Sequence, residues 1–347
     1  MFIKTIQNIP LETIQHPVFA QKHLTLQILR LDKTDPIISG NKWFKLKYNL
    51  LQAKKQQHHT LVSFGGAYSN HLHALARAGK QFGFNTIGII RGEENCPLNP
   101  SLYEMTEQGM KLYYINRKTY REKHLPEFRD FLTELIYKDD PFNMGSSAHH
   151  FYLIPEGGTN TLALLGAAEI ISYLPVESDY ICVPCGTGGT IAGIISGLGQ
   201  AQLRQSYPQP HPPPQVLGFA AMKSGQFLED FIQQLLKQQD EHLRQASLKT
   251  TWELFYDWHF GGFAKLNQEL AIFIDDFERK YKIELDPVYT AKMMYAIVSM
   301  AEADYFPPES KIIAVHTGGL QGKRGMDKKY QSLLDHSLNT SNNRLPI

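Results

Sequence analysis

The stretch YICVPCGTGGTIAGI, residues 180–194, shows the order of elements that decides the fold. Its apolar first part, Tyr180–Pro184, predicts a buried strand, and a glycine-rich turn follows. A helix is predicted to begin near Thr190. Strand, polar turn and helix in this order are typical of a protein with a parallel sheet.

The same order recurs along the chain of 347 residues. Strands are predicted at Thr60–Phe64, Asn85–Ile90, Lys111–Ile115, Phe151–Ile154, Tyr180–Pro184, Gln215–Ala220 and Lys311–His316. Helical patterns follow several of them, at Asn70–Phe82, Thr161–Tyr173, Thr190–Leu203, Phe227–Lys237 and Pro287–Ala303. This alternation predicts an α/β fold in which helices cover parallel sheets. Residues 206–215, SYPQPHPPPQ, are interpreted as a surface connection, and residues 338–347 as a loosely held polar tail.

Charge and cysteine content narrow the classes of partner and compartment. The chain has 35 Lys+Arg against 34 Asp+Glu, which gives no electrostatic reason to expect nucleic acid or an acidic membrane as a partner. No apolar run is long enough for a secretory signal or a membrane span. Of the three cysteines, Cys182 and Cys185 lie along a predicted strand and are interpreted as buried structural residues. We expect a cytoplasmic protein.

Glycine-rich loops follow four of the predicted strands: FGGAYSNH (64–71), PEGGTN (155–160), PCGTGGT (184–190) and HTGG (316–319). Ligands of parallel α/β proteins bind where strands end. In the third loop the backbone can approach an anion closely, and the hydroxyls of Thr187 and Thr190 can bind phosphate oxygens. No lysine follows as in G-x-x-x-x-G-K-[ST], so a nucleoside triphosphate is not expected. The alternative is a tight turn with no ligand.

The loop at 64–71 also has two interpretations. Ser69 or Asn70 either caps the following helix or hydrogen-bonds a ligand's oxygens. His71 and His73 are two residues apart, so they point away from each other on a helix. A metal site is therefore not expected there.

The segment SGNKWFKL, residues 39–46, places Lys42 in or next to the first turn of a predicted helix. The positive end of the helix dipole disfavours a cation there, whereas Lys45 and Lys47 lie further along and meet no such conflict. A slightly misplaced surface lysine is one explanation. The other is a partly desolvated Lys42 with a lowered pKa, whose neutral amine can attack an aldehyde. Together with a phosphate loop, such a lysine points to pyridoxal 5′-phosphate as cofactor.

Five segments in order, GNKWFKL, GGAYSNH, GTGGTIAG, DPVYTAK (286–292) and HTGG, resemble the 1-aminocyclopropane-1-carboxylate deaminase / D-cysteine desulfhydrase family. The resemblance runs from about Leu24 to Gly322. It implies the tryptophan-synthase-β-like, type II fold of pyridoxal-phosphate enzymes, with two three-layer parallel-sheet domains. Residues 1–47 plus 157–347 would form the larger, cofactor-binding domain, and residues 48–156 the smaller inserted one. We also expect a homodimer, with the active site in the cleft between the domains.

The same resemblance implies which residues bind the cofactor. Lys42 matches the lysine that forms an imine with the cofactor's aldehyde, and Asn70 matches the residue that hydrogen-bonds its phenolic oxygen. Thr317 matches the residue that faces the pyridine nitrogen in the desulfhydrase-like branch. The phosphate would lie among Gly186, Thr187, Gly188, Gly189 and Thr190. No metal is implied.

Catalysis and substrate binding are likewise assigned by resemblance. Lys42 matches the residue that shuttles protons, Ser69 a serine next to the reacting carbon, and Tyr289 a tyrosine close to the cofactor and substrate. His71 matches a neighbour that helps to hold the substrate carboxylate, together with Ser69 and Asn70. The substrate would be a small amino acid.

Two departures from the deaminase pattern favour a D-cysteine desulfhydrase-like lyase, which releases a 2-oxo acid and ammonia by β-elimination. Thr290 stands where deaminases have a glutamate, and Phe263 falls near a second tyrosine of theirs. The alternative is a 1-aminocyclopropane-1-carboxylate deaminase. Cysteine synthases and serine dehydratases share GTGGT, but their lysine lies in a pattern like S-F-K-D-R. From another class, a pyridoxal-phosphate-binding protein without turnover remains an alternative, although the intact Lys42, Ser69 and Tyr289 argue against it.

Overall fold

The computed structural model describes residues 6, 8–35, 38–139, 151–175, 177–204 and 212–342. These residues fall into two compact units. One unit is Asn49–Gly158, and the other combines the described residues before Asn49 with those after Gly158. None of the described helices combines the length and the apolar character that a membrane span requires.

The strands and helices alternate along most of the chain. The strands are β1 (Leu11–Ile14), β2 (Thr25–Arg30), β3 (Thr60–Gly65), β4 (Asn85–Arg91), β5 (Met110–Ile115), β6 (Phe151–Leu153), β7 (Tyr180–Cys185), β8 (Gln215–Ala220), β9 (Trp252–Phe255) and β10 (Lys311–His316). The helices are α1 (Pro17–Gln21), α2 (Asn41–Lys55), α3 (Asn70–Phe82), α4 (Pro100–Glu107), α5 (Arg117–Arg121), α6 (Phe128–Asp139), α7 (Thr161–Ala168), α8 (Gly189–Leu203), α9 (Phe227–Lys237), α10 (Glu241–Leu248), α11 (Gln268–Tyr281), α12 (Thr290–Glu302) and α13 (Asp327–Asn342). The predicted α/β fold is confirmed.

The Asn49–Gly158 unit is built on one sheet of parallel strands in the order β5-β4-β3-β6. Every residue of β3 is buried, as expected for a strand covered on both faces. The helix α3 follows β3, begins after the N-cap Ser69 and ends at Gly83 in the left-handed conformation. The C-terminal ends of β3, β4 and β6 therefore lie at one edge of this sheet, next to the loop of residues 64–71.

The second unit contains a sheet in the order β1-β2-β10-β7-β8-β9. The β1–β2 pair is antiparallel, and the other pairs are parallel. The helices α8 and α12 both pack on β7, and α8 is buried along nearly its whole length. Cys182 and Cys185 are free and buried in β7, and burial raises the pKa of both thiols, which fits a structural role.

Three predicted elements need correction. The predicted helix Thr161–Tyr173 is α-helical only to Ala168, and residues 169–173 tighten into a 3-10 helix. The predicted helix Pro287–Ala303 begins at Thr290, because the Asp286 carboxylate accepts hydrogen bonds from the N–H groups of Val288, Tyr289 and Thr290 and so caps the helix there. Within the predicted tail, residues 338–342 continue α13, and residues 343–347 lie outside the described residues. Residues 206–211 of the proline-rich connection also lie outside them.

Candidate active site

The start of α2 is fixed against the loop that follows β10. Gly40 has φ +74°, and a Cβ there would collide with the main-chain carbonyl of Thr317. The N–H of Asn41 donates to that carbonyl oxygen over 3.1 Å. Thr317 itself is buried, at 8% exposure. The sequence therefore puts a glycine where two backbones touch, and Lys42 lies two residues further on, in the first turn of α2, as predicted.

Lys42 is partly buried, and its ammonium donates a hydrogen bond to a neighbouring amide. Nζ donates to Oδ1 of Asn41 over 3.0 Å, and Nδ2 of Asn41 donates to Oγ1 of Thr190 over 2.8 Å. Burial lowers the pKa of Lys42 from 10.5 to about 8, and the carboxylate of Asp286 acts in the opposite direction. About a tenth of Lys42 is then neutral at pH 7, compared with about 0.03% of an ordinary lysine. The amine is thus prepared for attack on an aldehyde.

Lys45 belongs to the same site, which the sequence analysis missed. It is 1% exposed, and its Nζ donates to Oγ1 of Thr159 over 2.6 Å and to Oγ1 of Thr187 over 3.4 Å. Burial and the nearby charge of Lys42 lower its pKa well below the ordinary value. The spacing carried a signal, because residues three apart share one face of a helix. A buried ammonium beside a glycine turn is suited to an anion.

The glycine turn leaves space next to this ammonium. Gly188 is the N-cap of α8 with φ +73°, and Gly189 opens the helix. A Cβ on Gly189 would lie 2.7 Å from Cγ2 of Thr159 and 3.0 Å from Nζ of Lys45. A side chain here would fill the space that faces the helix start. The hydroxyls of Thr159 and Thr187, the ammonium of Lys45 and the N-terminus of the 15-residue α8 therefore converge. Together these groups fit a phosphate group.

Tyr289 borders the other side of the turn. A Cβ on Gly186 would lie 2.8 Å from Cε1 of Tyr289, so the ring covers this glycine closely. Phe263 meets the same ring edge-on, with 5.9 Å between the ring centroids. Where the deaminase pattern would have a second phenol, the ring of Tyr289 therefore meets a phenyl group.

Thr290 starts α12 and is fully buried. Its Oγ1 has no hydrogen-bond partner among the described residues. Leaving a buried hydroxyl without a partner costs roughly 1–3 kcal/mol. Such an orphan is expected where a bound group completes the hydrogen bond.

The residues predicted to hold the substrate belong to the Asn49–Gly158 unit. Oγ of Ser69 accepts a hydrogen bond from the N–H of Leu72 over 3.2 Å, so Ser69 caps α3, and Asn70 follows as a partly buried residue. His71 is buried, with Nε2 2.8 Å from Oγ of Ser63. The Ser63 hydroxyl donates to a main-chain carbonyl, so Nε2 of His71 is the donor to Ser63.

The histidine two residues later has a different partner. Nε2 of His73 lies 2.8 Å from Oε2 of Glu104, so the two histidines interact with separate groups. Within the described ranges, no group of three or more His, Cys, Asp or Glu side chains could hold a metal ion. The roles of Ser69, Asn70 and His71 in substrate binding stay predictions.

Comparison with known proteins agrees with this geometry. Residues 5–318 match the family described as pyridoxal-phosphate dependent enzyme. A Pyrococcus furiosus protein with the provisional name 1-aminocyclopropane-1-carboxylate deaminase is 30% identical over 89% of both chains. The D-cysteine desulfhydrase of Klebsiella pneumoniae is 27% identical over 86% of this chain and 88% of its own. A crystal structure of an ACC deaminase homologue superposes with a TM-score of 0.76, at 26% identity, over 95% of both chains.

Proposed function

The chain belongs to the family of pyridoxal-phosphate dependent enzymes, and we propose that it removes the amino group of a small amino acid by β-elimination. D-Cysteine is the first substrate to test; with water it would give pyruvate, ammonia and hydrogen sulfide. When bound, pyridoxal phosphate supplies an aldehyde that condenses with amines and a ring that takes up electrons from the α-carbon. The residues described above fit this cofactor, because a phosphate cradle and a lysine of lowered pKa lie in one unit.

Lys42 is proposed to act as both the cofactor's anchor and the base. Its neutral amine would hold the cofactor through the aldehyde, and in turnover Nζ would take the α-proton of the substrate and hold it. The hydrogen bond to Oδ1 of Asn41 orients Nζ, and Asp286 limits how far burial lowers the pKa. A base with a pKa of about 8 works close to neutral pH, where proton transfer is most effective.

The phosphate is proposed to bind between the start of α8 and Lys45. Thr187 and Thr190 would donate their hydroxyl hydrogens, and the ammonium of Lys45 would supply charge. Hydrogen bonds to a charged group each contribute roughly 1.5–3 kcal/mol, so this cradle accounts for a large part of cofactor affinity. Gly186, Gly188 and Gly189 would keep the backbone accessible.

The contact of Phe263 with Tyr289 is the main observation that favours β-elimination rather than opening of a cyclopropane ring. 1-Aminocyclopropane-1-carboxylate has no α-hydrogen, so its ring opening needs proton-transfer groups beyond an α-proton base. Phe263 offers no hydroxyl for this task. Thr290 offers a neutral hydroxyl, which cannot keep a pyridine nitrogen protonated as a carboxylate does. Each missing group of this kind typically costs 10²–10⁴-fold in rate.

Cyclopropane-carboxylate deamination is the second candidate, because the names of the Pyrococcus relative and of the solved homologue favour it. The deciding assay compares pyruvate from D-cysteine with 2-oxobutyrate from 1-aminocyclopropane-1-carboxylate at equal enzyme and saturating cofactor. We expect the first to form at least about 100-fold faster. Lys42→Ala is the control and should abolish both. Faster 2-oxobutyrate would make the deaminase the better assignment.

The remaining site assignments, made by resemblance, are part of the same proposal. Ser69 would lie next to the reacting carbon and Tyr289 close to the cofactor and substrate. Asn70 and Thr317 would contact the cofactor, and His71 would support the substrate carboxylate. The buried hydroxyl of Thr290 offers a further contact to the ring. Borohydride reduction followed by peptide mapping should place the cofactor on Lys42, and label on another lysine would contradict this assignment.

We further infer a cytoplasmic homodimer with an inserted domain at 48–156, whose limits lie close to the unit Asn49–Gly158. Three free cysteines support a reducing compartment. Light scattering of the purified enzyme tests the dimer, and a mass of one chain would contradict it.

A further inference from the structure

Lys292 is a third buried lysine, on α12 and three residues after Tyr289. It is 2% exposed. Its Nζ donates to three main-chain carbonyl oxygens, those of Ala221 (3.2 Å), His259 (2.8 Å) and Gly262 (2.9 Å). Three donors meet three acceptors, so the ammonium is fully used for hydrogen bonds.

Burying this ammonium costs free energy that a residue with only a packing role would avoid. Burial lowers the pKa of Lys292 to about 8, although Asp286 opposes the change. An apolar side chain of similar volume would avoid the desolvation of a charge. The acceptors are all main-chain groups, so the ammonium fixes backbone positions. It joins the residue after β8 to a segment that lies more than 30 positions further along the chain.

That segment, residues 259–265, has an unusual backbone. Gly261 and Gly262 have φ of +91° and +124°, and the non-glycine residues Phe260 and Ala264 have φ of +53° and +52°. Left-handed conformations are disfavoured for side chains with a Cβ, so surrounding contacts must hold such a turn. Lys292 supplies two of these contacts, at the first and the fourth residue of the segment.

The turn presents Phe263 to Tyr289. Phe263 is 48% exposed, and its ring packs edge-on against that of Tyr289. Tyr289 in turn covers Gly186 of the glycine turn. The position of the Phe263 ring thus depends on the backbone of residues 259–265, and that backbone is bound to Lys292.

We propose that Lys292 is a positioning residue that holds the 259–265 turn and so sets Phe263 against Tyr289. The consequence for substrate choice rests on the proposed function, in which Tyr289 borders the substrate. The consequence for the turn does not, because it follows from the hydrogen bonds alone.

Limited proteolysis tests directly whether Lys292 holds the turn. Lys265 is exposed at the end of the turn and offers trypsin a site there. Lys292→Met removes the three hydrogen bonds at similar side-chain length, and cleavage after Lys265 should become at least about tenfold faster. The matched control is Lys223→Met, an exposed lysine beside Gly262, which should cleave like the wild type. Equal cleavage rates in all three proteins would overturn the proposal.

Hydrogen exchange of the wild-type enzyme gives the same answer if Lys292→Met does not fold. The hydrogen-bonded amides of Gly261, Gly262 and Lys265 should exchange much more slowly than those of an open loop, and exchange at the rate of an open loop would refute the proposal that Lys292 holds the turn. For turnover, Lys292→Met should raise KM several-fold while kcat changes less than about twofold, because Lys42 is untouched. Unchanged KM with faster proteolysis would reject the link to substrate but keep the anchor. If the wild type shows no turnover, limited proteolysis and hydrogen exchange still test whether Lys292 holds the turn.

Discussion

The pH should control how fast Lys42 captures pyridoxal phosphate, because only a neutral amine attacks an aldehyde. Burial lowers the pKa of Lys42 from 10.5 to about 8. The group is a base with a lowered pKa, so its neutral form increases as pH rises through about 8 and is nearly complete above about pH 9. The rate of capture should follow this curve.

The size of the effect distinguishes a buried lysine from an ordinary one. With a pKa of about 8, the neutral fraction increases from about 9% at pH 7 to about 97% at pH 9.5, a change of about tenfold that then levels off. With a pKa of 10.5, the neutral fraction would increase about 300-fold over the same range and continue to rise.

The assay mixes cofactor-free protein with saturating pyridoxal phosphate and follows absorbance at about 410–430 nm, where the lysine-bound cofactor is expected to absorb. Saturation removes differences in binding affinity from the measured rate. Lys42→Ala should show no such phase at any pH, which identifies the signal. A rate that climbs steadily to pH 10 with no plateau would refute the lowered pKa, and with it the argument that helix position and burial prepare this lysine.

Three further changes test the rest of the site. Replacing Thr187 and Thr190 together by Val should lower cofactor affinity at least about tenfold in equilibrium dialysis, because two donors to a charged group are lost; unchanged affinity would leave the glycine loop as a turn. Lys45→Met should lower the same affinity about 10- to 100-fold, with Lys47→Met as a neutral control; equal affinity in both would remove Lys45 from the cradle. The free energy of unfolding of the cofactor-free wild type, minus that of Lys42→Met, should rise between about pH 8 and 10. In this range Lys42 binds more protons in the unfolded chain than in the folded one, so a rising pH favours the folded state. A difference that does not change with pH in urea titrations would contradict the lowered pKa.

The sequence predicted those parts of the candidate site whose residue type is unusual for its local position or is required by it. Lys42 is recognisable because a cation in the first turn of a helix opposes the dipole, and Gly188 because a strand meets a helix there. Of the strands in parallel pairs, β3 to β8 and β10 were also predicted, since their apolar runs are continuous, whereas the short β9 was not. The strand β2 was missed, because its residues Thr25–Arg30 acquire their role only by pairing with β10, nearly 290 residues later.

Lys45 and Lys292 show why the remainder could not be predicted. Neither residue violates a local rule, and their partners lie far away in sequence: Thr159 is 114 positions from Lys45, and Ala221 is 71 positions from Lys292. Periodicity places both on a buried helix face, but a lysine on such a face is normally assigned to solvent. Only the tertiary fold shows that hydroxyls and carbonyls surround each ammonium.

The partners of these three lysines explain how similar side chains take different tasks. Among the described residues, Lys42 donates to the amide oxygen of Asn41, and burial lowers its pKa to about 8, so the neutral amine is accessible near that pH. Lys45 donates to hydroxyls, which can rotate toward an anion; a bound phosphate would raise its lowered pKa, so cofactor binding should take up a proton at a pH between the two pKa values. Lys292 donates to three fixed carbonyls, and each of them favours the charged form. Burial lowers the pKa of all three, and the neighbouring acceptor decides whether the lysine reacts, binds an anion or holds a turn.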